Sequence, residues 1–96
     1  MYKIRKEVEV VTTQVEETDV TLMGYVGHIL KEAREAKGLG LMDVSRLTTP
    51  VGGNTPEVSN STISRMENGM YTNLAGIEAV AKALGIKVRD LFPKED

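Results

Sequence analysis

Asn60, Ser61, Ser64 and Arg65 place four hydrogen-bonding side chains on a stretch whose apolar residues, Ile63 and Met66, sit three apart. On a helix, positions three apart share one stripe, so Ile63 and Met66 can be buried together while the polar side chains point elsewhere. Asparagine can pair with both N6 and N7 of adenine, arginine can take O6 and N7 of guanine, and serine is less selective. An exposed row of such side chains on a rigid helix is what reading DNA base edges requires. Thr62 can touch a phosphate or a thymine methyl, and Asn68 with Gly69 can offer backbone N–H groups to a phosphate. For Arg65, a solvated charge or a salt bridge to a nearby acid is the plainer alternative.

The stretch carries its own boundaries. Ser59 supplies an oxygen for the free N–H groups of a helix start, and Gly69 takes the left-handed conformation that closes a helix. This predicts a helix over residues 60–67, with Glu67 in a structural role. A second start is written into Thr55-Pro56-Glu57: a capping threonine, a proline at the first position and an acid in the first turn. A helix beginning there would project an added turn toward the groove.

Other helices are needed to hold this one. From Thr21 onward Leu22, Val26, Ile29, Leu30 and Ala33 follow helical spacing with Lys31, Glu32, Arg34 and Glu35 outside. That helix ends at Gly38 and takes Asp19 or Thr21 as its cap. Gly24 and Gly27 each weaken its first turns by roughly 1 kcal/mol relative to alanine. A short helix fits residues 41–48, turning Leu41, Val44 and Leu47 or Thr48 inward. Residues 74–84 form another, with Leu74, Ile77, Val80, Ala81 and Leu84 on one face. A last turn over 88–92 brings Leu91 and Phe92 to the core before Pro93 ends it. Ahead of the helices, Ile4, Val8 and Val10 alternate with Arg5, Glu7 and Glu9. Alternation over residues 3–15 predicts a half-buried strand, and residues 16–18 read as a polar connection.

The segment VSNSTISRMENG, preceded by LMDVSRLT and followed by IEAVAKALG, resembles the lambda-repressor-like (Cro and xenobiotic-response-element) helix-turn-helix family. The resemblance extends over roughly residues 22–92, including the lead-in VGHILKEAREAKGL and the closing LGIKVRDLF, and STISRMENG is its most specific part. It implies a mostly α, five-helix domain over residues 21–93, here with a β-strand extension over 1–20. It also implies that the first two positions after the cap and the two after the buried isoleucine face the major groove: Asn60, Ser61, Ser64 and Arg65. In that family a small residue at Ser45 lets the second helix cross closely over the third; otherwise Ser45 is a surface serine.

The chain departs from the family in four places. Leu41 stands where many relatives have a glutamine that grips DNA, and Met70 where a lysine or arginine is common. The usual proline is missing from Tyr71-Thr72-Asn73, a turn about one residue short. Residues 49–57 lengthen what is elsewhere a tight turn; two of the three prolines lie there, so the segment is a loop. Loop length costs little, so a harmless insertion is one reading. A finger reaching a phosphate or groove at the DNA edge is the other.

Composition narrows the remaining classes. Ninety-six residues allow one modest core, not a DNA reader plus a separate sensor domain. With no cysteine, disulfides and thiolate metal sites are excluded. No apolar run reaches the length of a membrane span, which makes a cytoplasmic location the default. His28 is the single histidine, acids are not paired at site spacing, and Gly52-Gly53 lacks the Lys-Ser/Thr of a phosphate loop. No enzyme, metal or cofactor is expected. Net charge is −2, and residues 38–77 hold Asp43, Arg46, Glu57, Arg65 and Glu67, a local net of −1. Nonspecific affinity for DNA should therefore be weak unless Lys3, Arg5, Lys6, helix ends or a doubled site contribute.

The sequence thus predicts a dimeric, sequence-specific DNA-binding transcriptional regulator, a repressor of near-palindromic operators. The alternative is a protein-interaction adaptor or antitoxin on the same scaffold. A lone strand over 3–11 cannot satisfy its own backbone, so pairing with its copy across a two-fold axis would build the dimer. A disordered basic arm, or a strand folded onto its own domain, are the other outcomes.

Overall fold

Thr21 sets where the helical body begins. Its Oγ1 accepts from the Gly24 N–H at 3.1 Å, which fixes the cap there rather than at Asp19. The computed structural model describes residues 2–9, 13–70 and 73–93, and hairpin positions 5–9 and 13–19 by backbone alone. Two strands, β1 (Tyr2–Glu9) and β2 (Thr13–Val20), precede four α-helices: α1 (Leu22–Ala36), α2 (Leu41–Leu47), α3 (Asn60–Glu67) and α4 (Leu74–Ala83). Val88–Leu91 forms a single 3-10 turn. That turn takes the place of the expected fifth helix. Four residues ahead of Pro93 are too few for an α-helix, but enough to seat Leu91 fully in the core.

The core gathers one stripe from each helix. Val26 and Leu30 come from α1, Val44 from α2, Ile63 and Met66 from α3, and Ile77, Val80 and Ala81 from α4, closed by Val58, Leu84 and Leu91. Burial of a side chain of this size contributes roughly 1.5–3 kcal/mol. Of the two alternatives for the inner face of α2, Thr48 is buried beside Val44 and Leu47 is exposed; Leu74, expected on the inner face of α4, is exposed as well. Both leucines sit at a helix end, Leu47 the last residue of α2 and Leu74 the first of α4.

The contact of α1 with α3 is a backbone contact. A Cβ on Gly27 would lie 2.1 Å from the Met66 carbonyl oxygen, so only glycine allows this approach. Below it, Arg34 reaches from α1 to Glu67, with Nε 2.7 Å from Oε2 and Nη2 3.0 Å from Oε1. Its remaining Nη1 donates to the Leu39 carbonyl at 2.9 Å. Arg34 is therefore not on the outer face, where its charge had placed it among Lys31, Glu32 and Glu35. The hydrogen bond to Glu67 raises its pKa above an already high value, against desolvation, so the guanidinium stays charged.

The N-terminal segment is a hairpin rather than a lone strand. β1 and β2 pair antiparallel from Tyr2 opposite Val20 to Glu9 opposite Thr13. Residues 16–18, expected to connect, belong to β2. In this backbone register Lys3 stands opposite Asp19, Arg5 opposite Glu17 and Lys6 opposite Glu16. β1 thus finds its partner in its own chain, and the backbone need that motivated a second subunit is half met. The hairpin base is tied to the body through Tyr2 and Tyr25, whose ring centroids are 6.4 Å apart. Ile4 is half-buried. Val10 and Tyr71-Thr72, placed by the sequence in strand and turn, lie outside the described residues.

Candidate nucleic-acid interface

The orientation of α3 is set at both ends by polar side chains. At its start, Ser59 Oγ accepts from the Thr62 N–H at 3.3 Å and lies 2.9 Å from Thr62 Oγ1 and 3.2 Å from Ser61 Oγ. The helix therefore starts after Ser59, not at Thr55-Pro56, which remain in the loop. One residue earlier, the Val58 carbonyl accepts from Ser45 Oγ at 2.7 Å, and the Val58 N–H donates to Thr48 Oγ1 at 3.0 Å. Ser45 is buried, so it is no surface serine. Its hydroxyl fastens the end of α2 to the lead-in of α3.

At its other end α3 closes on itself. The Gly69 N–H donates to the Met66 carbonyl at 3.0 Å and the Met70 N–H to the Arg65 carbonyl at 2.8 Å. Gly69 has φ +72 and sits against Gly24, whose Cα would be 2.9 Å from an added Cβ. The Asn68 N–H is shared between the Ser64 and Arg65 carbonyls, and its Nδ2 donates to Ser64. The backbone donors expected to meet a phosphate at Asn68-Gly69 are thus already engaged in the helix cap.

Between these ends the polar row is out in the open. Asn60, Ser61 and Arg65 are exposed, Thr62 and Ser64 half-buried, and Ile63 and Met66 are buried on the opposite side. Among the described residues no acid pairs with Arg65, so the salt-bridge alternative is not realised. The fold also alters the local charge. Glu67 is spent on Arg34, with its side chain 7% exposed. Asp43 accepts from the Gly40 N–H at 2.8 Å at the start of α2. What remains outward between residues 38 and 77 is two arginines, Arg46 and Arg65, against Asp43 and Glu57.

Sequence reasoning missed the Arg34–Glu67 bridge and the Ser45–Thr48–Val58 bonds. The first had a signal, an arginine four positions past Leu30 and so beside the core stripe of α1, but its charge alone reads as outward. Gly24 and Gly27, three apart, were the visible trace of the α1–α3 contact. No group of three histidine, cysteine, aspartate or glutamate residues that could hold a metal occurs among the described residues. No helix there is long and apolar enough to cross a membrane.

The sequence matches no protein-family model and no curated protein. Among solved structures, the chain is similar to the clp gene regulator ClgR from C. glutamicum. The two share 24% identity with a TM-score of 0.62, over 77% of this chain and 86% of that one. That likeness establishes a common fold: a small, mostly helical globule.

Proposed function

We propose that the chain is a sequence-specific DNA-binding transcription regulator that lays α3 in the major groove. The observation that carries this reading is the exposed row Asn60, Ser61 and Arg65 on a helix whose far side is locked into the core. Arg65 reads guanine and Asn60 reads adenine, Ser61 and Ser64 tolerate several bases, and Thr62 meets backbone or a thymine methyl. Asn68 and Gly69 hold the helix end rather than touch DNA. The fold shared with a gene regulator supports the same reading.

In this reading the protein acts as a dimer on a near-palindromic operator, with repression the simplest outcome of occupying such a site. The hairpin supplies the interface. A two-stranded hairpin is marginal in water and leaves two unpaired edges, whereas edge-to-edge pairing of two copies gives a four-stranded sheet. Binding-site selection from a randomised duplex library tests the function. Enrichment of one half-site in two-fold repeat supports it, and no enrichment by a folded protein refutes it.

A protein-interaction adaptor is the second reading. Residues 1–20 hold three basic and five acidic residues, so the chain's whole net charge of −2 lies in the hairpin. An acidic projection suits a basic protein partner better than a phosphate backbone.

A further inference from the structure

Residues 49–57 leave the body and return to it at one place. The Glu57 N–H donates to the Thr48 carbonyl at 3.2 Å, and the Val58 N–H to Thr48 Oγ1 at 3.0 Å. Between these closed ends the Gly53 N–H donates to the Pro50 carbonyl at 2.9 Å, and Gly52 has φ +81, giving a type II turn. The loop thereby turns back on itself, with residues 50–55 exposed. Its returning limb, Thr55 and Pro56, forms one wall of a groove of about 340 Å³; Met42 and Arg46 of α2 form the other. Ser59 and Asn60 form its end.

That last contact gives the groove its meaning. Asn60 belongs both to the polar row of α3 and to the groove, so the two surfaces are continuous. A helix lying in the major groove has a sugar–phosphate strand along its flank. The groove offers that strand an apolar wall and one cation. Arg46 is 70% exposed, and its carboxylate neighbour, Asp43, is 3.8 Å away and already bonded to the start of α2. A guanidinium in this state can turn to a phosphate with little to give up.

The geometry points to the groove between α2 and the 49–57 loop as a seat for the DNA backbone strand beside the bases read by α3, with Arg46 as its phosphate ligand. This rests on the DNA-binding reading above. It makes Arg46 an affinity residue, distinct from Arg65, which specifies sequence.

The test uses the full chain and a duplex recovered by the site selection. Arg46→Ala should weaken binding uniformly across related sequences and lower the salt slope, d log K/d log[salt], by about 0.9. Duplexes carrying one uncharged methylphosphonate linkage at a time then locate the contact. Wild type should lose affinity at a linkage flanking the bases read by α3, and Arg46→Ala should be indifferent to that linkage. A variant with residues 50–56 replaced by Gly-Gly removes the apolar wall; it should bind more weakly with an unchanged melting temperature. Equal salt slopes for wild type and Arg46→Ala, or equal sensitivity to every linkage, overturn the groove assignment alone. A wild-type protein that selects no DNA overturns the parent reading and this one together.

Discussion

Arg65 and Gly27 do opposite jobs with opposite chemistry, and single substitutions separate them. Arg65 makes no ion pair among the described residues and is exposed, so Arg65→Ala should leave the melting temperature in place. It should cost about 1–3 kcal/mol of specific binding if the arginine pairs with guanine, measured by titration of the selected duplex against a variant base pair. A loss equal on all sequences would demote it to a phosphate contact. Gly27 touches no solvent-facing function, yet an added methyl would run into the Met66 carbonyl oxygen at 2.1 Å, a backbone atom with no easy retreat. Gly27→Ala should destabilise by about 1–3 kcal/mol or more in urea unfolding. Gly24→Ala is its control: the nearest atoms there are Val20 Cβ at 3.2 Å and Thr21 Oγ1 at 3.3 Å, both on side chains at the edge of the body. It should cost distinctly less. Propensity alone penalises the two glycines equally, and only the crossing of α3 tells them apart.

At the scale of elements, helix positions were legible because each carries local punctuation: Thr21, Ser59 and Asn73 begin helices, and Gly38, Gly69 and Gly85 end them. What local pattern could not supply was any bond between elements. Ser45 reads as small enough for a close helix crossing and Thr48 as a candidate inner-face residue, but only the return of the chain at Val58 gives their hydroxyls a partner. Arg34 similarly reads as outward until Glu67 arrives from α3. The hairpin was half legible, since alternation marked β1 but the acidic run of β2 looked like a linker without its basic partner opposite. Thr48→Val tests the tie at the α2–α3 joint. It keeps the shape and removes the oxygen, leaving the buried Val58 N–H without an acceptor, a loss of about 1–3 kcal/mol. Denaturant titration should show that drop, and an unchanged midpoint would mean that the joint is held by packing alone.

The whole molecule measures 50 × 29 × 20 Å along its principal axes. Among the described residues, every member of the buried core comes from positions 26–91, so the helical body should fold once residues 1–16 are removed. The truncated chain is expected to keep its helical signal and to sediment as a monomer, with much weaker operator binding. If it still sediments as a dimer, the interface lies elsewhere, most plainly around Phe92. The exposure of Asn60, Ser61 and Arg65 was legible in the sequence, but the charge around them was not. Counting residues makes it acidic, whereas the fold buries Glu67 against Arg34 and turns both remaining arginines outward.

The zipped ends of residues 49–57 carry one more consequence. Because Thr48 holds Glu57 and Val58 directly, the placement of α3 does not depend on what is strung between them. The segment behaves as a cassette, where doubling its length adds only about 0.6 kcal/mol of closure entropy. Peptides or reporter groups spliced between Gly52 and Gly53 would ride beside α3 without moving it, a position from which a change at its exposed face can be followed optically.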